Sequence, residues 1–238
     1  SHVAEANTPE EQRAAAERRR ASRGIPYLFI KPTEGAVIGQ GDAVVIPYGR
    51  DRIDWEVELA IVIGRTAKYI SAADAENYIF GYMVSIDISD RGGRPPDSRP
   101  GSDWLVGKGH DTFAPLGPWI VPKEFYGDPM VRLSQRLEVD GDVMQEAGPG
   151  DMIHSIYELL EYGSSIVTLF PGDVVNNGTS GGTGAGTAVR GVQQFLQPGQ
   201  TIVASIEGIG TLTLPVVDEQ APPERTGSYL PAVSSYQR

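Results

Sequence analysis

Along the chain, apolar and polar positions follow two different rules, and the change falls near Gly24. The opening, "SHVAEANTPEEQRAAAERRRASRG", is rich in Ala, Glu and Arg and has no β-branched run, so it predicts one or two exposed helical segments ending near Gly24. From "IPYLFIKP" onward, short apolar runs are interrupted by Gly, Pro and Asp: "DAVVIPYG", "WEVELAIVIG", "YIFGYMVSIDIS", "PWIVP", "RLEVDGDVM", "GDVVNNG" and "QTIVASIEGIGTLTLPVV". Many short strands with turn signals between them predict a mixed α+β chain that is mainly β. Two interruptions read as helices. "SAADAENYIFGY" places Ala, Asp and Glu after a Ser N-cap, and "DMIHSIYELLEYGSSI" places Ile153, Ile156, Tyr157 and Leu160 on one stripe. Asp140 and Gly141 in "VDGD" predict a hairpin turn. The polar, proline-bearing end, residues 218–238, reads as an arm or tail.

Within this pattern the segment "RIDWEVELAIVIG" stands out. Alternation along a strand sends Trp55, Val57, Leu59, Ile61 and Ile63 to one face, and Glu56 and Glu58 to the other. Two adjacent acids on a strand often mark only a solvent face. Here that face continues with Ala60 and Val62, which suggests cover. Covered neighbouring carboxylates repel, so one takes a proton or a cation neutralises both. A hard divalent ion such as magnesium or manganese would need a third acid, and Asp87, set in the apolar run "SIDIS", is the candidate. Beyond it, Lys108 could stabilise negative charge developing on an oxygen. The glycine-rich turn around Thr179 could offer N–H groups to a carboxylate, although such turns are common without any ligand.

Composition narrows the function classes. At 238 residues the chain can bury a substantial core. No run approaches the roughly 18 apolar residues of a membrane-spanning helix, and the start lacks a secretory signature, so a cytoplasmic protein that does not engage membrane is expected. The absence of cysteine excludes disulfides, thiolate catalysis and sulfur-bound zinc, leaving oxygen ligands or the three histidines, His2, His110 and His154. The formal net charge of −11 argues against nucleic acid as a partner, or simply keeps the protein dispersed.

Six pieces now line up in one order between roughly Tyr27 and Val217. They are "DWEVELAIVIG", "GYMVSIDIS", "GKGHDTFAPLGPWIV", "DGDVMQ", "GDVVNNGTSGG" and "IEGIGTLTLPV". Together they resemble the fumarylacetoacetate hydrolase family, in particular its smaller, acylpyruvase-like members. The resemblance implies a β-roll with short helices over residues 25–217, usually dimeric, so a homodimer is expected. It implies one divalent cation, Mg2+ or Mn2+ with Ca2+ possible in crystals, held by Glu56, Glu58 and Asp87. Lys108 would lie beside the substrate oxygen, and Thr179 with Gly178 at the substrate carboxylate. Arg91 matches an arginine of the family pattern and could pair with a substrate carboxylate or carbonyl. Gln145 either faces the pocket or is a hairpin-edge residue. Residues 1–24 would form a helical lid, short of its upstream end by comparison with the family. In "SHVAEA", His2 and Glu5 match the His-x-x-Glu of that lid, neighbours on a helix that could activate water. The chain departs from the usual pattern in "ISDRGGR", which puts Gly92 and Arg94 where the family has an acid and a glutamine, and in "GTS" at Thr179. Both departures touch substrate selection, and Arg94 becomes a candidate for it.

The resemblance implies metal-dependent hydrolysis of a carbon–carbon bond in a 2,4-dioxo acid of the acylpyruvate or fumarylpyruvate type, through a stabilised enolate. Two alternatives remain open at this point. One is an oxaloacetate-type decarboxylase or a 2-oxo-enoate isomerase or hydratase on the same site. The other is a non-catalytic domain that binds a metal or a small acid.

Overall fold

The computed structural model describes residue 18 and residues 21–94, 103–186 and 192–221. In chain order the strands are β1 (Val37–Ile38), β2 (Val44–Ile46), β3 (Ile53–Asp54), β4 (Val57–Ile63), β5 (Ile79–Ile86), β6 (Ser89–Asp90), β7 (Ala114–Pro122), β8 (Gln135–Val139), β9 (Asp142–Ala147), β10 (Val174–Asn176), β11 (Thr201–Ile206) and β12 (Gly210–Asp218). Among the described residues the strands are interrupted by the short α-helices α1 (Trp104–Lys108), α2 (Lys123–Tyr126), α3 (Pro129–Arg132) and α4 (Ile156–Ile166) and by two 3-10 turns. One sheet has the order β1-β7-β5-β4-β10, a second has β2-β12-β11-β8-β9, and β3 pairs with β6 alone. This is the mainly β architecture with short helices that the strand pattern predicts. Among the described residues, no helix is long and apolar enough to cross a membrane.

One apolar cluster draws on both five-stranded sheets. Trp55, Val57, Leu59, Ile61 and Ile63 from the β4 segment join Leu137 and Val139 of β8, Ile202 and Ala204 of β11, and Leu212 and Leu214 of β12. Each large apolar side chain fully buried here contributes about 1.5–3 kcal/mol. β11 alternates buried and half-buried residues, as a strand with one covered face does, whereas every residue of β4 is buried. β5 and β10 pair the two edges of β4, and both of its faces are buried but do different things. The face opposite the main core carries Ala60, Val62 and Met83 as a small separate cluster, with Leu116 against it.

The Asp140–Gly141 turn forms as its sequence suggests, with φ of 52° and 87°, joining β8 to β9. The other local expectations need correction. Only Ala75–Tyr78 of the "SAADAENYIFGY" stretch is helical, as a single 3-10 turn. Ser71 closes a turn instead of starting a helix: its hydroxyl donates to Asp74 Oδ2 at 2.7 Å and accepts from the Asp74 N–H at 3.2 Å. From Ile79 onward the chain pairs with β4 on one side and β7 on the other, and this pairing overrides local helix propensity. α4 begins later than its stripe suggests. Ser155 and Glu158 form a capping box, Ile156, Leu159 and Leu160 are buried, and Ile153 lies exposed outside the helix with His154 beside it. Most of residues 1–24 and of residues 218–238 lies outside the described part of the chain, as do His2 and Glu5.

Candidate functional site

The strand period that buries the odd residues of the β4 segment presents the acids on its other face. Glu58 lies opposite Ser85 in the β4–β5 ladder, and the Asp87 N–H donates to the Glu56 carbonyl at 2.8 Å, carrying the pairing past the end of both strands. Glu56, Glu58 and Asp87 are thereby gathered into one buried group, with a carboxylate oxygen from each lying within 4.8 Å of the others. Asp87, thirty residues from the glutamates in sequence, arrives only because β5 returns antiparallel to β4.

Three basic side chains surround these acids. The Lys108 ammonium donates to Glu56 Oε2 at 2.8 Å, to Asp87 Oδ2 at 2.6 Å and to Ser89 Oγ at 2.6 Å. Lys31 donates to Asp87 Oδ1 and, at 3.0 Å, to the Ile88 carbonyl. Arg91 donates to Glu56 Oε1 and, through Nε, to Asp54 Oδ2 at 2.9 Å. Glu58 is different: among the described residues its carboxylate accepts one backbone hydrogen bond, from the Gly178 N–H at 3.2 Å. Burial, then the charges of Asp87 and Glu56, push the Glu58 carboxyl well above the usual glutamate range. Burial also raises Glu56, although Lys108 opposes it, and burial lowers Lys31 against the pull of Asp87. A buried acid raised first by burial and then by two neighbouring carboxylates is the member of the group left without a cation contact among the described residues. Oxygen-only donors in this arrangement fit a hard divalent cation such as Mg2+ or Mn2+.

The floor of the site is made by side chains that brace one another. Gln145 accepts from the Val57 N–H at 2.9 Å and donates to Thr179 Oγ1 at 2.8 Å and to the Ser180 carbonyl at 3.2 Å. It is a fully buried tie between β4 and the turn after β10. The Thr179 hydroxyl donates to the Val57 carbonyl at 3.0 Å, and the Thr179 N–H makes no hydrogen bond among the described residues. Asn177 fixes the same turn by accepting from the Leu59 N–H at 2.8 Å. Asp54 accepts from the amides of Gly184 at 2.5 Å and Ala185 at 3.1 Å, so the glycine-rich turn packs down onto the site. A Cβ at Gly184 would meet the Gln194 carbonyl and the Asp54 carboxylate, which is why glycine stands there.

Sequence reasoning located Glu56, Glu58, Asp87, Lys108, Arg91, Gly178, Thr179 and Gln145, and the fold brings all of them together. Arg94 stands apart: it is exposed, and it donates to Asp103 Oδ2 at 2.8 Å. His110 belongs to a neighbouring group, its Nε2 lying 3.3 Å from Asp90 Oδ2. Lys31 and Asp54 were missed. A lysine inside the apolar run "YLFIKP" and an aspartate between two apolar residues in "IDW" were the available signals, since buried charge requires a partner.

Comparison with known proteins gives concordant results. The family model described as fumarylacetoacetate (FAA) hydrolase C-terminal matches residues 1–217. A Mycobacterium tuberculosis protein is 41% identical over 197 residues, which are 83% of this chain and 68% of that protein. The crystal structure of 5-carboxymethyl-2-hydroxymuconate delta-isomerase from Mycobacterium smegmatis superposes with a TM-score of 0.72 at 38% identity, covering 84% of this chain and 72% of that one. Maleylpyruvate hydrolase from Sphingobium sp. SYK-6, solved in complex with manganese(II) and pyruvate, superposes with a TM-score of 0.68 at 32% identity, covering 81% of this chain and 64% of that one.

Proposed function

Because this chain belongs to the fumarylacetoacetate hydrolase family, we propose that it is a divalent-cation-dependent hydrolase that cleaves a carbon–carbon bond in a 2,4-dioxo acid of the acylpyruvate type. The observation that carries the reading is the convergence of Glu56, Glu58 and Asp87 with the Lys108 ammonium among them. The similarity to a maleylpyruvate hydrolase solved with manganese and pyruvate supports it. Glu56, Glu58 and Asp87 would hold the ion, Mg2+ or Mn2+, which when bound supplies Lewis-acid polarisation of the substrate's oxygens.

The chain's own groups do the rest. The Thr179 N–H would receive the substrate carboxylate, while the Gly178 N–H donates to Glu58 and Gln145 holds that turn against β4. Arg91, anchored by Asp54, presents a partly exposed guanidinium to a carboxylate or carbonyl. His2, oriented by Glu5, is the proposed base: it removes a proton from water, which adds to the distal carbonyl. Collapse of that adduct breaks the carbon–carbon bond and leaves the bonding pair on the pyruvate fragment. Lys108 stabilises the oxygen that carries this charge, and protonation yields pyruvate and a carboxylic acid.

The test is product analysis with a panel of acylpyruvates and added Mg2+ or Mn2+. Release of stoichiometric pyruvate supports hydrolysis. A second reading on the same site, isomerisation of a 2-oxo-enoic acid, is favoured by the similarity to the Mycobacterium smegmatis isomerase. It would appear as a change in ultraviolet absorbance of a hydroxymuconate-type substrate with no pyruvate formed.

A further inference from the structure

All four carboxylate oxygens of Glu56 and Asp87 already accept from a side-chain cation: Lys108 on Glu56 Oε2 and Asp87 Oδ2, Arg91 on Glu56 Oε1, Lys31 on Asp87 Oδ1. Each of these oxygens already has an acceptor site taken, and a divalent charge added among three basic groups, Lys108 buried and Lys31 and Arg91 half-buried, would be repelled. At least one of the three must give way. Arg91 is tied back by the bond from its Nε to Asp54, and Lys31 by the Ile88 carbonyl. Lys108 has a different alternative. Its Nζ lies 5.2 Å from the centre of the Phe29 ring, within the reach of an ammonium–ring attraction.

That ring is held in place. Phe29 stacks on Trp104 with centroids 4.9 Å apart and planes 14° from parallel, and Tyr27 meets the same indole at 5.3 Å. Trp104 and Lys108 are four apart on α1, hence on one side of it, so a single helix carries both the lysine and the brace behind the ring it faces. Lys31 also has an aromatic neighbour, Phe113, but at 6.0 Å.

We propose that Phe29, braced by Trp104, is a positioning residue that receives the Lys108 ammonium when a divalent cation takes Glu56 and Asp87, keeping that ammonium in the site with its N–H groups released for substrate. The proposal rests on the metal-dependent reading above. Ser89 Oγ, already bonded to Lys108, remains its polar anchor during the shift.

The experiment is calorimetric titration of Mn2+ into the full chain, with a metal-free thermal melt of each variant as a folding control. Phe29→Leu, which keeps bulk and removes the ring face, is expected to weaken Mn2+ uptake roughly three- to tenfold. Phe29→Tyr is expected to retain uptake within about twofold, because the face is preserved. Trp104→Leu, with Phe29 in place, is expected to weaken uptake in the same direction by less. In a Lys108→Met background, Phe29→Leu is expected to change nothing, since no ammonium needs the ring. Equal losses for Phe29→Leu and Phe29→Tyr, or a loss that persists in the Lys108→Met background, would assign Phe29 a packing role and overturn the proposal. Mn2+ uptake by the wild type with no effect of Phe29→Leu overturns this proposal alone, whereas no uptake by the wild type overturns the metal reading and this proposal with it.

Discussion

Two groups of buried charge lie three residues apart in the chain, and they are built on opposite principles. Around Asp90 the carboxylate itself is well supplied: Arg50 Nε donates at 2.5 Å, the Gly92 N–H at 2.7 Å, and His110 lies 3.3 Å away. Burial works against the Asp90 carboxylate, but the contacts from His110 and Arg50 outweigh it and hold the carboxyl below its usual range. Around Asp87 the three basic side chains sit on Glu56 and Asp87, and Glu58, with one backbone donor and no cation contact among the described residues, is pushed well above its usual range. A completed pair fixes structure, here the turn that carries Arg91, since Arg50 also donates to the Gly93 carbonyl at 2.8 Å. An incomplete cluster stores unfavourable charge that a ligand can relieve.

The contrast breaks most sharply in activity. Asp87→Asn should reduce pyruvate release from an acylpyruvate by about a thousandfold or more, equivalent to ~4 kcal/mol of barrier, while the metal-free protein stays folded. Steady-state rates with saturating Mg2+ check this. The reverse should hold at the other cluster. Arg50→Leu leaves Asp90 buried with its main partner gone, and should cost about 3–5 kcal/mol in urea denaturation.

Gln145 sharpens the comparison from below, because it belongs to the site but acts as scaffold. Gln145→Ala leaves the Val57 N–H and the Thr179 hydroxyl short of a partner and should destabilise the fold by about 1–3 kcal/mol. It should also raise KM more than it lowers kcat, through the loosened Gly178–Thr179 turn.

The smallest expected effect carries the opposite sign. In metal-free protein at neutral pH, Glu58→Gln should stabilise by about 1 kcal/mol, because it removes an acid whose charged form the fold disfavours. The folded Glu58 carboxyl binds its proton more tightly than the unfolded one. Metal-free stability should therefore fall as pH rises from the ordinary glutamate range through the raised folded value, and this slope should flatten in Glu58→Gln. Thermal melts across that pH range measure both.

Different parts of the site differed in how far the sequence could reveal them, for physical reasons. Glu56 and Glu58 were legible because strand geometry alone puts alternate residues on one face, and Asp87 because an aspartate in an apolar strand needs a partner. Lys31 and Asp54 were not, because their roles depend on which distant segments meet. Lys31 reaches Asp87 from a stretch without regular secondary structure, whose position no local pattern encodes, and Asp54 receives amides from a turn 130 residues later. The same distinction explains the helix expected after Ser71. Its cap and its acidic first turn are local signals, and pairing with β4 and β7 outweighed them.

The central claim is that the Glu56–Glu58–Asp87 cluster is completed by a divalent cation, and titration calorimetry of Mn2+ into metal-free protein tests it most directly. The account predicts one ion bound per chain, protons released on binding, and uptake abolished in Glu58→Gln but retained in any Arg50 variant that remains folded. No uptake by the wild-type chain, or uptake unchanged in Glu58→Gln, would contradict it.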